Sequence, residues 1–101
     1  MNRLNSILRY IAGYHGLSVD DLKGGAKEQN VVRARDHAIL LLRRRGYSIA
    51  SLRWLLKRQP NAIYASETRA RHRANSDPAE ALTIHRLSNL LFRPRAQGGQ
   101  S

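Results

Sequence analysis

The run "VVRARDHAILLLRRRG", residues 31–46, constrains the fold of this chain more than any other stretch. Val31, Ala34, Ala38, Leu41 and Leu42 recur every three or four residues. That spacing gathers them on one side of an α-helix and scatters them across both faces of a strand. The run is also well bounded. Upstream, "KGGAKEQN" (23–30) carries adjacent glycines in a polar loop, and Asn30 is a suitable cap. Downstream, Gly46 can adopt the left-handed conformation that ends a helix. Arg33, Asp36, Arg43 and Arg44 lie off the apolar stripe and are expected to face outward.

The rest of the chain repeats this punctuation. A first helix, capped by Asn5 or Ser6, carries Ile7, Leu8, Ile11 and Tyr14 at helical spacing and stops at Gly16. "SVDD" opens a short second helix, with Ser18 and Asp21 spaced as a carboxylate capping box. Ser48 caps a fourth, "IASLRWLLKR", whose Ile49, Leu52, Leu55 and Leu56 point inward, and Pro60 breaks it. Trp54 is expected in the core. Asn61 caps a fifth helix, "AIYASETRARHRAN", and "SDPAE" starts a last one with Ser76 or Asp77 as cap and Pro78 in the first turn. No alternating β-branched run or Asn-Gly hairpin turn occurs. The expected fold is all-α: a small helical domain over residues 1–75, a C-terminal helix over 76–93 for packing or dimerisation, and a disordered tail over 94–101.

Charge narrows the function. Eighteen Lys and Arg oppose seven Asp and Glu, a net +11, and residues 31–75 alone hold eleven cations against two acids. A partner with regularly spaced negative charge suits such a surplus, because phosphate contacts that release counterions dominate nucleic-acid affinity. No cysteine is present, so disulfides and thiolate metal sites are excluded. No stretch approaches the roughly 18 uninterrupted apolar residues of a membrane span, and the N-terminus lacks a signal peptide's apolar core. A cytoplasmic, nucleoid-associated protein is therefore expected.

Helices four and five are separated by a few residues around Pro60, the dimensions of a helix-turn-helix whose second helix enters the major groove of DNA. On that second helix Arg69 and Arg73 stand one turn apart, Ser66 precedes them by a turn, and Asn61 lies near the start. Arginine pairs bidentately with guanine and asparagine with adenine. Asn61, Ser66, Arg69 and Arg73 are therefore the candidate base or groove contacts.

From residue 11 the chain resembles the C-terminal DNA-binding domain of the bacterial replication initiator DnaA, a helical domain similar to the Trp repressor. "IAGYHGLSVDDL" (11–22) is similar to that family's "VAxYYxIxxxDL", and "VVRARDHAILLLRRRG" to its "VARPRQxAMYLxRxLT". "SIASLRWLLKRQPNAIYASE" (48–67) falls where the family has "SLxEIGxxFGGRDHTTVxHA". The likeness covers about 60 residues in order. It implies that Arg33 and Arg35 contact the DNA backbone and nearby groove, and that Lys27 belongs to a basic loop. "KRQPNAIY" stands in place of "GGRDHTTV", so the family's sequence specificity does not transfer. Its ATPase module and any phosphate-binding "GxxxxGKS" loop are absent from the sequence.

With Arg44, Lys57, Arg58 and Arg71, Arg33 and Arg35 complete the candidate phosphate contacts. The expected function is double-stranded DNA binding by a transcriptional or replication-linked regulator of a bacterium or phage. Residues 79–92, "AEALTIHRLSNLLF", could form a homodimer seam. Two other readings stand: an adaptor whose basic face and last helix bind an acidic protein, and an RNA-binding protein. Catalysis, cofactors and a small-molecule substrate are not expected. His15, His37, His72 and His85 show no zinc-type spacing, and Asp20 and Asp21 read as helix N-terminal charges.

Overall fold

The computed structural model describes residues 3–92. Six helices follow in order: α1 (Arg3–Tyr14), α2 (Val19–Lys23), α3 (Gln29–Arg45), α4 (Ile49–Leu56), α5 (Pro60–Ser76) and α6 (Pro78–Phe92), with no strand among the described residues. The expected tail from residue 94 lies outside them.

Local chemistry explains most of the boundaries. Ser18 Oγ accepts from the Asp21 amide at 3.1 Å while Asp21 Oδ2 accepts from the Ser18 amide at 2.9 Å, which closes the capping box of α2. Gly46, at φ 106°, ends α3 in the left-handed region, and its amide and that of Tyr47 return to the carbonyls of Arg43 and Leu42. Ser48 caps α4 through the Ser51 amide at 3.1 Å. Asp77 Oδ1 accepts from the Ala79 amide at 3.0 Å, so Asp77 alone links α5 to α6 and starts the latter.

Four boundaries differ from expectation. α1 begins at Arg3, so Asn5 and Ser6 lie inside it rather than capping it. Asn30 lies inside the first turn of α3, behind Glu28 as the flanking residue. Asn61 lies inside α5, because Pro60 takes the first helical position, where its missing N–H costs nothing. Pro60 therefore starts α5 rather than breaking α4, which ends at Lys57 in a left-handed conformation, φ 55° and ψ 48°.

α3 is the axis of the molecule and packs against α1, α2, α5 and α6. Surrounded in this way, it buries every residue from Ala34 to Leu42 instead of one stripe. Leu8 and Ile11 of α1, Leu22 of α2, Leu52 and Leu56 of α4, Ile63 and Ala70 of α5, and Ile84 and Leu87 of α6 complete the core. Among the residues buried on α3 are Arg35, Asp36 and His37. Trp54, by contrast, is 84% exposed. On so short a helix Leu52 and Leu56 take the inward positions, and the indole between them points away.

Candidate nucleic-acid interface

α5 has two opposed faces. Ile63, Ser66 and Ala70 are buried, and Arg69 and Arg73, at helical spacing from Ser66, reach the same side. Asn61, Tyr64, Ala65, Thr68, His72 and Asn75 are exposed and follow the three- and four-residue spacing of a single outward stripe. That stripe carries no acid. The Arg69–Arg73 stripe singled out from the sequence thus runs along the border with the core: Ser66 is buried and Arg73 partly so, while Asn61 and Arg69 are exposed, Arg69 with its head group turned to Asp36. Tyr64, Thr68, His72 and Asn75 were not anticipated, although the same periodicity contains them.

These two arginines meet two buried carboxylates. Arg69 grips Asp36 with a two-pronged contact, Nε to Oδ2 and Nη2 to Oδ1, both 3.0 Å, and also donates to Ser66 Oγ at 3.2 Å. Arg73 donates to Asp36 Oδ2 at 3.0 Å and to Glu80 Oε1 of α6 at 3.4 Å. Arg33 pairs with the other Glu80 oxygen. Asp36 and Glu80 are 0% and 3% exposed, and a buried carboxylate is costly unless it is paired, as both are here. Its hydrogen bonds to Asp36 raise the pKa of the Arg69 guanidinium.

Two histidines extend the network. His37, wholly buried, lies 2.8 Å from Glu80 Oε1 through Nε2 and 3.2 Å from His15 Nε2 through Nδ1. A neutral His37 donating from Nε2 to the carboxylate has only Nδ1 left to accept, so His15 must donate from Nε2. Both rings are held neutral. Burial, followed by the charges of His37 and Arg33, lowers the His15 pKa to about 4 against a weaker pull from Glu80. Burial likewise lowers His37, although its hydrogen bond to Glu80 opposes this. Glu80 is pushed up by burial, but hydrogen bonds from His37 and Arg33 outweigh this and hold its carboxyl below the ordinary range.

The phosphate candidates divide in the same way. Arg35 is 6% exposed and ties down the loop after α2, donating from Nε to the Leu22 carbonyl at 2.8 Å and from Nη2 to those of Gly24 and Ala26 at 3.1 and 3.3 Å. Burial, reinforced by nearby Arg58, lowers its pKa. Arg58 reaches the same Gly24 carbonyl. Arg71 is exposed but shares Glu67 with Arg43, at 3.1 and 3.3 Å. Arg44 and Lys57 are exposed, and no ion-pair partner faces either among the described residues.

Three of the seven acids are therefore consumed by the fold while several cations are left outside. Asp36, Glu67 and Glu80 take up Arg33, Arg43, Arg69, Arg71 and Arg73. Arg9, Lys27, Arg44, Arg53, Lys57 and Arg86 are exposed and form no ion pair among the described residues, and Asp20, Asp21, Glu28 and Asp77 are the exposed acids there. Among the described residues no group of three or more His, Cys, Asp or Glu side chains is placed to hold a metal ion, and no helix is long and apolar enough to cross a membrane.

Fold and site together define a small all-helical protein with a carboxylate-cemented interior and a basic exterior. In comparisons with known proteins no family model matches the chain, and no characterised protein or solved structure is significantly similar to it.

Proposed function

We propose that this chain binds double-stranded DNA through the outward face of α5, in the manner of a helix-turn-helix, and acts as a transcriptional or replication-linked regulator. The observation that carries the reading is the acid-free outward stripe of α5, set in a surface whose cations lack internal partners. A polyanion supplies those partners, and the polar groups Asn61, Tyr64, Thr68, His72 and Asn75 suit the hydrogen-bonding edges of bases in the major groove. No side chain caps the first amides of α5, which leaves the N-terminal end of that helix open to a phosphate. Arg44 and Lys57 serve the backbone, with Arg71 held at the edge of the stripe by Glu67. Arg33, Arg35, Arg69 and Arg73 are occupied by the fold. The likeness of residues 11–67 to the DnaA DNA-binding domain agrees with this assignment of helices.

A titration against random-sequence duplex at several salt concentrations tests the reading. Affinity should fall steeply with salt, and Arg44→Ala and Lys57→Ala should each flatten the log–log slope by about one. On a selected site, Asn61→Ala should cost about 1–3 kcal/mol at one base position. Absence of duplex binding at low salt would sink the proposal.

A further inference from the structure

Trp54 is the only tryptophan of the chain, and it stands 84% exposed on α4. Tryptophan is the side chain with most to gain from burial, yet this one covers no core residue. Its surroundings are basic. Arg53 and Lys57 line a hollow with it. An adjoining open groove of about 450 Å³ runs from Trp54 and Lys57 past Ser51 and Leu55 to Leu4 and Lys23. Its volume falls in the range of roughly 300–1,000 Å³ typical of small-ligand sites. Arg53, Lys57 and Lys23 have no ion pair among the described residues. The next hollow holds Asp20, beside Arg9 and Lys23.

We propose that Trp54 is a stacking platform for an unpaired base of single-stranded DNA, with Arg53, Lys57 and Lys23 engaging the phosphates on either side. The indole face is sequence-tolerant, because every base presents a π-face to it. Lys57 caps the C-terminal end of α4 and lines the same hollow as Trp54, which places a cation beside a base stacked on the indole. An acidic peptide would satisfy the cations but leave the flat indole unused. The inference shares with the proposed function the assumption that DNA is the partner and the use of Lys57 as a phosphate contact. It places the contact on α4 rather than α5 and takes an unpaired rather than a paired strand.

Because Trp54 is the sole tryptophan, intrinsic fluorescence reports on this site alone. The full chain is titrated at low salt with oligo-dT, a blunt random-sequence duplex, oligo-rU and poly-glutamate. Oligo-dT should quench the indole emission, while duplex and poly-glutamate leave it nearly unchanged. Trp54→Ala should weaken oligo-dT binding about five- to a hundredfold without altering duplex affinity, and Trp54→Phe should restore part of the loss. Since the side chain is exposed, both variants should melt like the parent. Oligo-dT binding that neither quenches nor responds to Trp54→Ala overturns the platform, as does equal quenching by poly-glutamate. Preference for oligo-rU overturns the choice of DNA. Duplex binding without oligo-dT quenching removes the platform and leaves the α5 reading intact. Quenching without duplex binding does the reverse.

Discussion

Asp36 is the residue on which the interior turns. It sits on a helix whose neighbours are Ala34, Ala38 and Ile39, is fully buried, and is paired with two arginines that come from α5. Asp36→Ala leaves Arg69 and Arg73 facing an apolar pocket. Removing one partner of a buried pair costs about 3–5 kcal/mol, and the lower end applies here because both arginines can turn partly to solvent. Arg69→Ala should cost less, since Arg73 still pairs with the carboxylate. Urea unfolding decides the matter: an Asp36→Ala loss no larger than that of the unpaired Arg44→Ala would contradict the assignment. The histidines predict a second dependence. Between the ordinary value of 6.5 and about 4, the unfolded chain protonates His15 while the folded chain refuses the proton, so stability falls as pH drops through that window. His37 acts in the same direction, and Glu80 adds to the loss further down as its depressed carboxyl finally protonates. Urea midpoints measured from pH 7.5 to 4 should decline in the parent and decline less in His15→Gln. A flat profile would show that the rings are not held neutral.

Helices were legible because their signals are local. Ser18 with Asp21, Gly46, Ser48 and Asp77 each act over three or four residues, and the structure uses each as a cap or stop. Orientation was harder, because it depends on partners far away in sequence. The polar character of Ser66, Arg69 and Arg73 suggests a free exposed face, and only the carboxylates of Asp36 and Glu80, contributed by α3 and α6, engage its arginines at the edge of the core. Trp54 failed for the opposite reason: its composition argues for burial, but α4 is too short to cover it. At the end of that helix Lys57 carries a side chain in the left-handed region, a strain on the order of 1 kcal/mol that glycine avoids. Lys57→Gly should therefore raise stability by about 0.5–1 kcal/mol, after allowance for the freer unfolded chain. Lys57→Ala, which keeps the Cβ atom, should give no such gain in thermal unfolding. If the two variants melt alike, the backbone at this turn is not strained.

At the scale of the molecule, α6 decides whether residues 76–93 are an appendage for association or part of the domain. Its inner side inserts Ile84 and Leu87 into the common core and delivers Glu80 to Arg33, His37 and Arg73. Its outer side leaves Leu82 and Leu90 about half exposed, two turns apart, the spacing of a contact between two copies. The two roles separate by experiment. A chain ending at Ser76 loses the buried carboxylate along with two core side chains, of which Ile84 alone is worth about 2–5 kcal/mol. Arg33 and His37 then lose their carboxylate partner, and Arg73 keeps only Asp36. That chain should lose cooperative thermal unfolding by circular dichroism, whereas Leu82→Ser with Leu90→Ser should melt like the parent and change only the sedimentation behaviour if α6 also joins two copies. A truncated chain that still unfolds cooperatively near the parent's midpoint would reduce Glu80 to a surface tie. α6 would then be an appendage, and the neutrality of the His15–His37 pair would need another cause.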